Sequence, residues 1–260
     1  MKSNQKIIYY SSLSDDFVET KNQTKTVPEN YKFIRTSLFA KFSDAILFCL
    51  LKLIASFYAI FVLHLKIKGK NKLKTYVKST KKGYYIYANH VLTYGDVYNP
   101  ALYNPIHSYY ICDSSNLGIP VLGPLLPYVG ALPIPDSIRG KKNLFDAIST
   151  RAKQGKAIVI YPEAHVWPYY TGIRPFETTS FSFPVRDNLP IFTATTTFQP
   201  RKNAHKKPRV TIYIDGPFYP DESLDKKSRA KNLHDKAYNA LTSRAKHSTV
   251  KYIHYKKRPD

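Results

Sequence analysis

The sequence predicts an α/β domain: a mixed, mostly parallel sheet flanked by helices, with an apolar helical membrane-associating segment on its N-terminal side. Three observations predict it. Tyr84–Ala88 and Ala157–Tyr161 are apolar or aromatic at every position. Continuous runs of that kind mark buried strands, and 189–198 reads as a further strand. These runs alternate with helical patterns such as 141–154, and strands joined through helices pair in parallel. Finally, residues 45–63 are apolar and broken by charge only at Lys52.

In chain order, residues 1–40 are polar with scattered aromatics and read as an irregular arm or a short helix. The run at 45–63 is about long enough to span a bilayer, but Lys52 near its middle costs roughly 3 kcal/mol on an insertion scale. Lys41, Lys66, Lys68 and Lys70 flank both ends, so no orientation is specified. The segment reads as helices dipping into one leaflet or lying along it, with Lys52 reaching back to the headgroups. A buried core helix is the alternative. Residues 64–75 alternate like a strand with one basic face. Tyr84–Ala88 is a buried strand that ends at Asn89 and His90, and a helix begins near Asp96, which suits an N-cap. Residues 107–112 read as a strand, and 117–130, with three prolines, as a short helix or packed loop. Lys141–Gln154 is a helix with Leu144, Ala147, Ile148 and Ala152 on one side and Gly155 ending it. The strand 157–161 runs directly into Pro162-Glu163-Ala164-His165. A short helix over 178–187, strands at 189–198 and 209–215, a helix over 223–247 and a basic tail at 251–260 complete the chain.

Forty Lys and Arg face 18 Asp and Glu, a net charge of +22. That excess favours an anionic partner, either an acidic membrane surface or nucleic acid. No nucleic-acid-binding module signature is present, and many of the aromatic residues fall inside expected strands, where core packing is their role, so nucleic acid is the less favoured partner. Two cysteines, Cys49 and Cys112, are too few for a disulfide framework or a cysteine-rich zinc site. The first thirty residues lack a signal-type apolar stretch. The expectation is the cytoplasmic side of a membrane, in a reducing compartment, peripheral or shallowly inserted.

The usual serine-hydrolase elbow, nucleotide-binding glycine loops and zinc-protease helix are missing from the sequence. What remains is Asn89-His90 followed by Asp96. A histidine and a carboxylate on one short loop can share a proton, with the carboxylate fixing the tautomer and the other ring nitrogen facing a substrate. Capping of a turn and a helix is the alternative for the same two residues.

Four blocks occur in order: Asn-His…Asp at 89–96, Arg139 after an apolar proline-containing loop, Tyr-Pro-Glu at 161–163, and Leu-Pro-Ile-Phe at 189–192. Together they resemble the glycerophospholipid acyltransferase family, best known from the 1-acyl-glycerol-3-phosphate acyltransferases, over roughly residues 45–215. The resemblance implies an acyltransferase domain at 67–250 behind a polar arm (1–40) and a membrane-associating segment (41–66). It implies His90 as general base and Asp96 as its orienting partner. Arg139 and Glu163 would bind substrate, and Pro190 would lie near the acyl-donor or membrane side. The co-substrate would be acyl-CoA or an acyl carrier protein, the acceptor a lysophospholipid or related hydroxyl compound, and no metal or other cofactor is needed.

Two departures mark a divergent branch. Five residues, not the usual four, separate His90 from Asp96. After Glu163 the family's Gly-Thr-Arg is replaced by Ala164-His165-Val166, so the expected arginine is missing. Arg174 is the nearest replacement, and a loop through Pro168 and Gly172 could carry it toward Arg139 to form a phosphate site. The readings from other classes are a non-catalytic anionic-lipid-binding protein of the same fold and a basic nucleic-acid-binding protein.

Overall fold

A computed structural model of the chain describes residues 6–18, 25–35, 37–120, 123–203 and 206–259. The buried runs become the centre of a seven-stranded sheet. Its strands are β2 (Lys66–Lys68), β3 (Tyr84–Ala88), β4 (Ser108–Cys112), β5 (Ala131–Pro133), β6 (Ala157–Ile160), β7 (Ile191–Gln199) and β8 (Arg209–Phe218), in the order β2-β8-β7-β3-β6-β4-β5. Every neighbouring pair is parallel except β7 with β8. The sheet is therefore mixed and mostly parallel, and β3 lies near its middle.

Helices cover both faces. Tyr84 and Ile86 of β3 pack on one side with Leu73 and Tyr76 of α2 (Lys70–Thr80) and Tyr103 of α3 (Gly95–Tyr103). Tyr85 and Tyr87 pack on the other with Leu144 and Ile148 of α4 (Ile138–Lys153), Val185 of α5 (Ser182–Asp187), and Leu233 and Ala237 of α6 (Lys226–Ala245). A strand with three tyrosines can be buried because each hydroxyl finds an acceptor. Tyr84 donates to Asn104 Oδ1 (3.0 Å), Tyr85 to Asp187 Oδ2 (2.5 Å) and Tyr87 to the Ser180 carbonyl (2.9 Å). Without partners, each buried hydroxyl would cost about 1–3 kcal/mol.

The apolar run forms one continuous helix, α1 (Leu38–Phe57), prolonged by a wider π-turn over Tyr58–Leu63. From Phe42 to Leu63 it is long and apolar enough to cross a membrane, and only 17% of that window is buried. Phe42, Ile46, Leu50, Leu53, Phe57 and Phe61 are all exposed, at spacings that place them along one side of the helix. It is the candidate membrane-associating segment.

Three sequence expectations change. The strand expected over 64–75 shortens to β2, because Gly69 turns the chain at φ +81° and α2 follows; Leu73 and Tyr76 then bury at helical rather than alternate spacing. The arm expected to be irregular contains β1 (Lys6–Tyr10), while residues 1–5 and 19–24 lie outside the described residues. The basic tail, which reads in the sequence as a surface-binding end or a solvated terminus, contains β9 (Ile253–Lys257), which pairs in parallel with β1. This terminal ribbon packs beside the loop after β6, which bears on the site.

Candidate active site

In an open parallel sheet the loops at the carboxyl ends of the strands form the binding crevice. Here the loops after β3 and β6, two neighbouring central strands, carry the candidate residues. Asn89 anchors the first. Its side chain is buried, donates to the Thr196 carbonyl of β7 at 3.0 Å and accepts from the Thr196 N–H at 2.8 Å.

His90 follows, with Nδ1 2.8 Å from Asp96 Oδ2. The extra residue in the loop thus leaves the pair in contact. The same Asp96 oxygen accepts from the backbone N–H groups of Val91 and Leu92, both at 2.9 Å. A carboxylate holding two amides needs a proton on the imidazole nitrogen that faces it. In the neutral ring, Nδ1 therefore carries the proton and Nε2 keeps a lone pair. Asp96 sits in the first turn of α3, where the helix dipole favours its negative charge. The His90 ring stacks on Tyr161 with centroids 4.4 Å apart, and the Tyr161 hydroxyl donates to the Asp96 carbonyl at 2.5 Å. His90 keeps 19% of its side chain exposed against 3% for Asp96.

The second loop carries Glu163. Its Oε2 accepts from Arg174 Nε at 3.2 Å and pairs with Nη2 at 3.1 Å, and the two side chains are 0% and 1% exposed. Burial pushes the Glu163 carboxyl up, and the Arg174 guanidinium opposes that shift. Arg174 also donates to the carbonyls of Leu13 (3.1 Å) and His165, and lies 4.9 Å from the ring of Trp167. Trp167 is wholly buried among Tyr10, Phe17 and Tyr255, and its indole N–H donates to the Asp15 carbonyl at 2.8 Å. The chain termini thus brace this loop. The loop in turn braces His90: Trp167 N–H donates to the His90 carbonyl at 3.0 Å, and Tyr169 N–H to that of Val91 at 2.9 Å. Ala164, where the resemblance leads one to expect glycine, adopts a left-handed φ of +63°, a conformation glycine takes without strain.

The remaining candidates are dispersed. Arg139 stands in the first turn of α4, at the same end of the sheet as His90; it is 81% exposed and lies 3.5 Å from Glu29. In strand order its neighbour β5 is three places from β3, roughly 14 Å across the sheet. Arg174 does not fold toward Arg139. The two-arginine phosphate site is corrected by this packing: the Arg174 guanidinium is enclosed and already paired with Glu163. Pro190 opens β7, and its carbonyl accepts from Tyr85 N–H. It therefore lies at the opposite end of the sheet from His90. Among the described residues no three His, Cys, Asp or Glu side chains are grouped to hold a metal ion.

Sequence reasoning passed over Asn89, Tyr161 and Trp167 as separate contributors. The first two adjoin the motifs, and Trp167 is the only tryptophan in the chain.

No protein-family model matches the sequence, and no curated protein does. Among solved structures, the 1-acyl-sn-glycerophosphate (LPA) acyltransferase PlsC from Thermotoga maritima superposes over 82% of this chain and 88% of its own, with a TM-score of 0.60 at 13% identity. The two chains share a fold. At that identity the likeness speaks for architecture, and the chemistry must be argued from the side chains.

Proposed function

We propose that this protein is an O-acyltransferase that moves a fatty acyl group from acyl-CoA or an acyl carrier protein to a hydroxyl of a lysophospholipid or glycerol-phosphate-type acceptor. The observation that carries the reading is the His90–Asp96 pair at 2.8 Å, held by two backbone amides on the loop after a central parallel strand. The fold shared with PlsC supports it.

In this reading His90 Nε2 removes the proton from the acceptor hydroxyl as that oxygen attacks the thioester carbonyl. The carbon–sulfur bond breaks, an ester forms, and the departing thiolate takes the proton from the imidazolium. Asp96 holds the ring and stabilises its charged form, contributing to the 10²–10⁴-fold typical of general-base catalysis. Glu163 and Arg174 keep the second loop in place beneath the site. Arg139 addresses a part of the acceptor distant from the reacting hydroxyl. The exposed face of α1 and the +22 charge support work at the cytoplasmic, anionic side of a membrane.

The test is incubation of the purified protein with a labelled acyl donor and a panel of acceptors, followed by lipid extraction. Labelled product from the parent and none from His90→Ala supports the proposal. Anionic vesicle binding without acyl transfer to any acceptor would leave a non-catalytic lipid-binding protein of this fold.

A further inference from the structure

A second cleft, of about 290 Å³, lies between α1 and the edge formed by β4 and β5. His107 precedes β4 and Lys156 precedes β6, so this cleft is at the amino-terminal end of the strands, opposite the His90 loop. None of His90, Asp96 or Glu163 lines it. Its charged walls are Arg35, Arg151 and Lys156 against one carboxylate, Asp44.

That carboxylate is engaged by Arg35 at 2.6 Å, and Arg35 also lies 4.4 Å from the Tyr128 ring. The other cations are held without acids. Arg151 lies 4.6 Å from the Tyr109 ring and donates from Nη1 to Gln154 Oε1 at 3.1 Å. Its Nε is buried and has no hydrogen-bond partner among the described residues. A buried donor without an acceptor is costly, the more so when charged. Lys156 forms no ion pair among the described residues. A further cation, Lys52, lies 5.9 Å from the Phe48 ring, which is itself 4.5 Å from His107. Burial, with Lys156, Arg151 and Lys52 nearby, holds His107 down to about 4. The cleft is thus positive, and the Arg151 guanidinium on its wall keeps one donor without an acceptor among the described residues.

Its apolar wall identifies the source of the anion. Phe48 belongs to α1, whose other side exposes Ile46, Leu50, Leu53 and Phe57. One helix therefore borders both the charged cleft and the membrane-associating face. An anion held there while α1 lies in a leaflet sits at headgroup depth.

We propose that this cleft is a second lipid site, which takes the phosphate of an anionic membrane phospholipid through Arg151 and Lys156 while the acyl chains run along α1. Lys52, the charge that interrupts the apolar run, then stands beside the same headgroup layer. The proposal does not depend on acyl transfer, since every readout below is binding.

The experiment is co-sedimentation of the full chain with vesicles of phosphatidylcholine alone and of phosphatidylcholine mixed with phosphatidate. Arg151→Gln/Lys156→Gln should lower affinity for the phosphatidate vesicles about tenfold or more, as two interfacial cations imply, and leave binding to phosphatidylcholine unchanged. Lys226→Gln/Lys227→Gln, the same charge change on exposed lysines at the start of α6, should cost less than about twofold. The charge-keeping exchange Arg151→Lys/Lys156→Arg guards against misfolding and should retain most of the preference, with thermal melts confirming the fold. A soluble short-chain phosphatidate should release the protein, whereas inorganic phosphate at equal concentration should not. Equal losses in the two glutamine pairs would reduce the effect to diffuse charge and overturn the site. Equal release by inorganic phosphate would overturn its assignment to a lipid.

Discussion

The loop after β3 and the loop after β6 adjoin each other, and both carry charged side chains, but they treat them oppositely. In the first, His90 is tethered through one nitrogen and keeps 19% of its side chain open. In the second, Glu163 and Arg174 are closed away at 0% and 1%. A group that must exchange a proton with a substrate needs one free face, and Asp96 and Tyr161 orient His90 without covering it. A group that must hold a loop needs none. A basic side chain paired with a carboxylate is therefore left open for the proposed chemistry in one place and closed away to hold a loop in the other. The difference lies in which atoms remain unspent.

Breaking each pair should give different readouts. His90→Ala should lower acyl transfer by about 10²–10⁴ and leave the thermal midpoint close to the parent's, because the ring is partly exposed and Asp96 keeps its two amides. A His90→Ala variant that retains the parent rate would end the general-base assignment. Arg174→Ala should instead act on stability. Removing one partner of a buried ion pair leaves the other charge unpaired and costs about 3–5 kcal/mol. Urea unfolding should show that loss, and Glu163→Gln in the Arg174→Ala background should recover part of it by removing the stranded charge. A double variant no more stable than Arg174→Ala would mean that the guanidinium acts through Leu13, His165 and Trp167 rather than through Glu163.

The His90–Asp96 half of this comparison was legible in the sequence as a contact on one loop, and the Glu163–Arg174 half was only partly so. β3 and β6 announce themselves by continuous apolar residues, and the loops that follow them carry the motifs, so His90 and Asp96 could be placed on one loop. Arg174 could be named as a substitute for the missing arginine, but its burial could not. Its enclosure depends on Leu13 and Trp167, and on the pairing of β1 with β9 across nearly the whole chain. Five-residue strands with that separation leave no local pattern to read. The helix α2 escaped for another reason. Leu65 and Ile67 set a two-residue alternation, and only the left-handed turn at Gly69 interrupts it.

A third prediction sharpens the contrast from outside the site. His107 is held down to about 4 by burial first and by Lys156, Arg151 and Lys52 next. The unfolded chain takes up a proton near the ordinary value of 6.5, while the folded chain does not. Stability from this group is therefore full above about pH 6.5 and falls as pH drops toward 4, by up to ~1.4 kcal/mol per pH unit. In His107→Gln the slope of stability between pH 6.5 and 4 should flatten. An unchanged slope would assign the acid sensitivity to other groups.

The smallest structural effect is expected at Arg139, which tests whether an exposed cation at the His90 end of the sheet can still have a kinetic role. Its contact with Glu29 is long, at 3.5 Å, and both side chains are mostly in water; such pairs contribute about 0–1 kcal/mol. Arg139→Ala should therefore leave unfolding within about 0.5 kcal/mol of the parent. If Arg139 meets a phosphate on the acceptor, the loss is of binding shared by ground and transition states, so KM for a phosphorylated acceptor should rise while kcat holds. An arginine suits that contact because its planar fork gives paired, charge-assisted hydrogen bonds. The acyl donor's KM should stay unchanged, because the His90 loop, roughly three strand spacings away, is where acyl transfer is proposed to occur. Steady-state kinetics with a phosphorylated acceptor and its dephosphorylated analogue separate the cases. A rise confined to the phosphorylated acceptor places the phosphate at α4. No change on either acceptor returns Arg139 to a surface ion pair with Glu29 and makes a neutral alcohol the better acceptor for His90.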